Sequence, residues 1–119
     1  MYDTLLTLQA SHAVTAGTAA LTTNSAGVHL PGGTPRRGLK ARVITTALEG
    51  TSPTQDYKIQ GSADNTTYID LAHPDAGQQT AAGEVFIPFE TSHPYVRLAA
   101  TTKAECTATY QADIGIARP

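Results

Sequence analysis

Apolar and polar residues alternate with a period of two in several stretches of this chain, and the most informative is YKIQGSADNTTYIDL, Tyr57 to Leu71. Tyr57 and Ile59 alternate with Lys58 and Gln60. A polar run from Ser62 to Thr67 breaks the pattern, and Ile69 and Leu71 resume it against Tyr68 and Asp70. This arrangement predicts a β-hairpin. Asp64 and Asn65 at its tip can bond to their own backbone and tolerate left-handed torsions, which makes the reversal cheap. A lone hairpin is not stable in water, so its apolar face must lie on a second sheet.

The same reading extends along the chain. Leu5 to Gln9 forms a first short strand, and HAVTAGTAALTTNSAG after it lacks helical periodicity, giving one or two strands with a loop. Val28 to Leu30 is a brief extended piece that ends at Pro31, Gly32 and Gly33, with Pro35 prolonging the interruption to Gly38. Leu39 to Leu48 is a strand rich in β-branched residues with apolar side chains on both faces. Val85, Ile87 and Phe89 form one strand face, and Pro88 among them points to a sheet edge, because proline cannot donate to a ladder. In Tyr95 to Thr101, Val96, Leu98 and Ala100 oppose Tyr95, Arg97 and Ala99. The last run sets Cys106, Ala108, Tyr110, Ala112, Ile114 and Ile116 against polar neighbours, so one face is buried. About eight strands without a convincing helix predict an all-β fold, an antiparallel β-sandwich of jelly-roll type, with an immunoglobulin-like sandwich as the alternative. Residues 1–119 are read as one β-sandwich domain with its N-terminus as an extended arm.

Composition sharpens this picture in one respect. Alanine and threonine contribute nineteen residues each, whereas tryptophan is absent, so the core is built largely from small side chains and part of the stability falls to a partner surface. A net charge of −2 and 15% charged residues imply no nucleic acid and no anionic membrane as partner. The first twelve residues lack the basic-then-apolar layout of a signal peptide, and no apolar run reaches membrane-spanning length, so synthesis in the cytoplasm is expected. On the same ground, the glycosylation triplet Asn65-Thr66-Thr67 reads as chance.

Candidate chemistry is sparse. The lone cysteine, Cys106, excludes an internal disulfide and reads as a buried apolar residue rather than a reactive thiol. His12, His29, His73 and His93 lack metal-site spacing, and neither metal nor cofactor is expected. GTPRRGLK, Gly33 to Lys40, misplaces the lysine of a phosphate loop. Carboxylates at Asp56, Asp64, Asp70, Asp75, Glu84, Glu90, Glu105 and Asp113 stand singly, so no enzyme and no small-molecule substrate are expected. Arg36, Arg37, Lys40 and Arg42 concentrate positive charge, either as a solvated loop or as a docking patch for acidic groups of a protein partner.

Three stretches in order, LLTLQASHAVTAGTAALTTN (Leu5 to Asn24), IQGSADNTTYIDL (Ile59 to Leu71) and HPYVRLAATTKAECTATYQADIGI (His93 to Ile116), resemble the small jelly-roll decoration, or cement, proteins of tailed-bacteriophage capsids. The chain departs from that pattern at PGGTPRR and at its last three residues. The resemblance implies a structural virion protein on the outer capsid surface that clamps neighbouring subunits of the major capsid protein. It also implies a homo-oligomer, a dimer in preference to a trimer, gaining avidity from repeated contacts. Docking would use Met1, Tyr2 and Leu5 of the arm and Pro31, Arg36 and Arg37 of the loop, the alternative being a frayed terminus and an ordinary loop. The hairpin is also similar to those of discoidin-type carbohydrate-binding sandwiches. The rival reading is therefore a carbohydrate-binding module using Asp64, Asn65 and Tyr68, in a chain that offers five tyrosines and no tryptophan as platforms.

Overall fold

A computed structural model describes residues 2–30, 38–73 and 78–117, and none of these is helical. They form nine strands: β1 (Tyr2–Thr15), β2 (Leu21–Asn24), β3 (Val28–His29), β4 (Leu39–Glu49), β5 (Gln55–Ser62), β6 (Ile69–Ala72), β7 (Gly83–Phe89), β8 (Tyr95–Thr102) and β9 (Thr107–Ala117). One sheet has the order β1-β9-β4-β7 and the other β2-β8-β5-β6, with β3 also on β8. Every pairing is antiparallel.

β2 and β3 pair with successive parts of β8 and behave as one interrupted strand. At the break, Ser25 N donates to the Leu98 carbonyl and Leu98 N donates to Ser25 Oγ, each at 2.8 Å, so the ladder of β8 is kept satisfied where β2 leaves it. With β2 and β3 counted together, the first strand lies beside the last, followed by the third and the sixth, and the second lies beside the seventh, followed by the fourth and fifth. This is the double-sheet wrap of a jelly roll, and it rules out the immunoglobulin order.

Parity decides the faces. On β4, Leu39, Ala41, Val43 and Thr45 are buried while Lys40, Arg42 and Ile44 point outward, which settles the strand whose sequence was apolar on both sides. Val96, Leu98 and Ala100 of β8 meet Tyr110, Ala112 and Ile114 of β9 in one core with Tyr57, Ile59 and Ile87. The rings of Tyr57 and Tyr110 stack edge to face at its centre, 5.5 Å between centroids. They supply bulk that the small residues around them lack. Pro88 sits on β7, which is an edge strand, as its missing donor requires. β1 is longer than Leu5 to Gln9 and takes in the start of the alanine- and threonine-rich stretch, His12 to Thr15, while β2 takes in Leu21 to Asn24. Three register shifts against β9, between Thr4 and His12, let a sequence without strict alternation stay in the sheet. Among the described residues no helix is long and apolar enough to cross a membrane.

Candidate functional site

The outer face of the β2/β3-β8-β5-β6 sheet carries a connected set of interacting polar and aromatic side chains. Inward positions on β5 are Gln55, Tyr57, Ile59 and Gly61, so Asp56, Lys58 and Gln60 alternate outward, while Ser62, next in that parity, is buried. Register places Gln60 opposite Arg97 and Asp70, Ser62 opposite Tyr95, and Tyr95 opposite His29. Three strands and the β3 segment therefore contribute to one surface.

Its centre is a continuous chain of contacts. Arg97 Nε donates to Gln60 Oε1 at 2.8 Å, and Gln60 Nε2 donates to Asp70 Oδ1 at 2.8 Å. Lys58 Nζ reaches Asp70 Oδ2 at 3.3 Å. These bonds hold the Asp70 carboxyl below its ordinary value of 3.8, with the Gln60 bond first and the Lys58 bond second. The Lys58–Asp70 pair is solvent-exposed and contributes little stability; its effect is to orient the carboxylate. The Arg97 guanidinium carbon lies 4.0 Å from the centroid of the Tyr68 ring, a cation–π contact. Beside it, the His29 and Tyr95 rings pack edge to face at 5.1 Å.

The hairpin tip that carries Tyr68 is built by Asp64. Its Oδ1 accepts from Thr66 N at 2.9 Å, from Thr67 N at 3.0 Å and from Ser62 Oγ at 2.9 Å. The backbone donors of Thr67 and Thr66, with Ser62 behind them, hold this carboxyl below 3.8. Asn65 takes the left-handed conformation, φ +60°, that asparagine tolerates best after glycine. The Tyr68 hydroxyl donates to Asn65 Oδ1, and burial pushes that hydroxyl up from 10.0 while Arg97 pulls the other way. It stays protonated across the neutral range and keeps its donor role.

Of the residues singled out in the sequence, Asp64, Asn65 and Tyr68 are thus brought together. Met1, Pro31, Arg36 and Arg37 lie outside the described residues. Tyr2 lies on β1 opposite Ala117 of β9, and Leu5 falls at the first register shift of β1. The N-terminal segment read as an arm is therefore paired along β9 in its backbone. Arg42 of the basic cluster bonds Asp113 at 2.8 Å on the opposite sheet. Among the described residues no group of three His, Cys, Asp or Glu side chains could hold a metal ion, and His12 packs edge to face on Tyr110 at 5.8 Å.

Lys58, Gln60, Asp70 and Arg97 were not picked out from sequence as site residues, although the alternation in β5 and β8 already put Gln60 and Arg97 on outward faces. The missing step was register, since only the pairing of β5 with β8 and β6 brings them side by side.

The sequence matches no protein-family model and no curated protein. Solved structures do match along nearly the whole chain. The C-terminal family 22 carbohydrate binding module of a Clostridium thermocellum xylanase, studied for the role of its cleft residues in ligand binding, aligns with a TM-score of 0.53 and 17% identity, covering 97% of this chain and 81% of that one. A xylan-binding domain from the same carbohydrate binding module family, formerly called x6b, gives 0.52 and 16%, with the same coverage. The CBM22-1 and GH10 modules of Clostridium thermocellum endo-1,4-beta-D-xylanase 10B, complexed with xylohexaose, give 0.50 and 11%, covering 99% of this chain and 28% of that chain. This chain shares their sandwich fold. At such identities the likeness is one of fold alone, so the case for a function rests on the site.

Proposed function

We propose that this chain is a non-catalytic binding module that holds a glycan on the outer face of the β2/β3-β8-β5-β6 sheet. The observation that carries the reading is the Tyr68 ring packed on Arg97 beside the Gln60–Asp70 pair. Sugar rings present C–H faces to aromatic surfaces and hydroxyls to planar amide, guanidinium and carboxylate groups, and this face offers both within one network. The sandwich likeness to xylan-binding modules supports it. Two carboxylates of the face are held ionised, Asp70 by Gln60 and Lys58 and Asp64 by the hairpin backbone, and this suits them to accept hydroxyl bonds rather than to donate a proton. Lys58 and Arg97 stand among Asp56, Asp64 and Asp70, so charge is nearly balanced and a neutral glycan fits better than a polyanion. Electrophoresis through gels containing xylan, mannan or mixed-linkage glucan tests this. Retarded migration that Tyr68→Ala abolishes is expected, and unchanged mobility in every polysaccharide would remove the reading.

A second reading, a decoration protein on a tailed-phage capsid, is favoured by the order of its three sequence stretches, which carry β1 and β2, the β5–β6 hairpin, and β8 with β9. Its partner would be the major capsid protein and its form a homo-oligomer, with Met1, Tyr2, Leu5, Pro31, Arg36 and Arg37 as docking positions. Co-sedimentation with assembled shells that lack it, together with a gain in shell resistance to heat, is the expected result. Absence of co-sedimentation eliminates this reading without touching the first.

A further inference from the structure

The hairpin tip does not end in open solvent. It reaches back across β8 to the β2–β3 connection, where the Asn65 side-chain oxygen and the Tyr68 hydroxyl come to rest against Gly27. A Cβ added at residue 27 would land on both oxygens and come within 2.9 Å of Asn65 Cγ. The backbone of Gly27 has no positive φ, so its conformation does not require glycine. What requires glycine is the space.

We infer that Gly27 is a positioning residue for the ligand face: the gap left by its missing side chain seats the Tyr68 hydroxyl and the Asn65 amide, and so fixes the Tyr68 ring over Arg97. The ring is then held at two places, by its hydroxyl in the gap and by one face on the guanidinium 4.0 Å away. A ring fixed at both places forms a platform that a ligand need not immobilise on binding, which removes part of the entropy cost of recognition. Tyr68 bridges three elements in this way: it belongs to the β5–β6 hairpin, packs on Arg97 of β8, and closes against the connection between β2 and β3. The arrangement also explains why the tip is stiffened by three bonds to Asp64 Oδ1, since a loose tip could not keep Tyr68 in register with the gap.

The obstruction in Gly27→Ala falls on the far ends of two side chains rather than on backbone, so the chain can respond by swinging Asn65 and Tyr68 away while the sandwich stays folded. The decisive readout is the Arg97 side chain in nuclear magnetic resonance spectra. In the native protein its Hδ and Hε resonances are expected to be displaced upfield by the Tyr68 ring current. In Gly27→Ala that displacement should collapse while the dispersion of core resonances is kept. Gly17→Ala, at a glycine with nothing within 4 Å of an added Cβ, should leave the Arg97 signals where they are. Tyr68→Phe in the native background leaves the gap but removes the hydroxyl that it seats, so the upfield displacement should shrink there too. Unshifted Arg97 resonances in the native protein, a displacement that survives Gly27→Ala, or a displacement undiminished in Tyr68→Phe would each overturn the inference.

The binding arm of the test rests on the glycan reading, and a polysaccharide retained by the native protein should be held about three- to tenfold more weakly by Gly27→Ala. If the native protein retains no polysaccharide, the glycan reading fails and the positioning role is judged by the Arg97 spectrum alone. If it does retain one and Gly27→Ala retains it equally well, the positioning role fails and the glycan reading stands.

Discussion

Thr45 Oγ1 lies 2.6 Å from the Tyr57 hydroxyl, so a buried hydrogen bond joins β4 of one sheet to β5 of the other across the core. Burial raises the Tyr57 hydroxyl, and the bond to Thr45 opposes that rise, which means the phenol enters the apolar interior only because a partner waits there. Tyr57→Phe and Thr45→Val each leave one buried oxygen short of this partner and should cost on the order of 1–3 kcal/mol. The double variant replaces both polar groups, so its cost should fall well below the sum of the two. A double-mutant cycle in urea denaturation measures this coupling, and strict additivity would show that the bond contributes nothing.

The turn after β4 is tied to the lone thiol. Gly50 has φ +132°, a region closed to side chains, and a Cβ there would stand 2.7 Å from Cys106 Sγ. Gly50→Ala should therefore destabilise the fold by about 1–3 kcal/mol through backbone strain alone, with crowding added. Cys106 is 1% exposed, and its thiol should resist a soluble thiol reagent until the protein unfolds. Chemical denaturation of Gly50→Ala and timed labelling of the native protein check the two expectations.

Alkali should find a weak point at Tyr110. Burial, with Tyr57 as a smaller contributor, pushes its hydroxyl up from 10.0 to about 12. A raised pKa means that the folded state keeps a proton which the unfolded chain has already lost, so stability is fully present below pH 10 and declines as the pH rises towards 12. Tyr110→Phe removes this titration and should flatten the decline. Urea midpoints taken between pH 9 and the alkaline limit, paired with the tyrosinate absorbance, follow both processes, and parallel curves for the two proteins would contradict the assignment.

Much of the architecture was legible because strand parity is a local property. The alternation in Cys106 to Ile116 named the buried face of β9, Pro88 named an edge, and the polar break from Ser62 to Thr67 named the hairpin. Two features were not legible. β1 runs on past its apolar start because β9 holds it through register shifts, and pairing energy of that kind leaves no periodic trace in β1 itself. The proposed ligand face was half visible: Asp64, Asn65 and Tyr68 stood out as turn and platform residues. Gly27, Gln60, Asp70 and Arg97 join them only through contacts between elements distant in sequence.

Arg97 offers the sharpest test of whether that face is a network or a set of neighbours. Its guanidinium performs two tasks at once, since Nε bonds Gln60 while the planar group lies against Tyr68. Lysine keeps the charge and cannot perform both, because an ammonium is a compact, strongly hydrated donor without a flat face. Arg97→Lys should therefore preserve folding, with a stability change within about 0.5 kcal/mol as for other surface substitutions. Its effect should appear further along the chain of contacts. With Gln60 no longer fixed by Arg97, the Gln60 amide loses its preferred orientation, and its bond to the Asp70 carboxylate weakens. That bond is the first cause of the depressed Asp70 pKa, so the carboxyl should rise back towards 3.8 in Arg97→Lys, although residue 97 acts on it only through Gln60. Because Asp70 is depressed in the folded state, any stability it contributes is present above 3.8 and is lost as pH falls through the lower folded value, and the substitution should narrow that window. Carbon-detected titration of the Asp70 carboxyl in both proteins reads the effect directly. An Asp70 titration identical in native protein and Arg97→Lys would show that Gln60 is held by Asp70 alone, and the Tyr68–Arg97–Gln60–Asp70 series would then reduce to unrelated pairs.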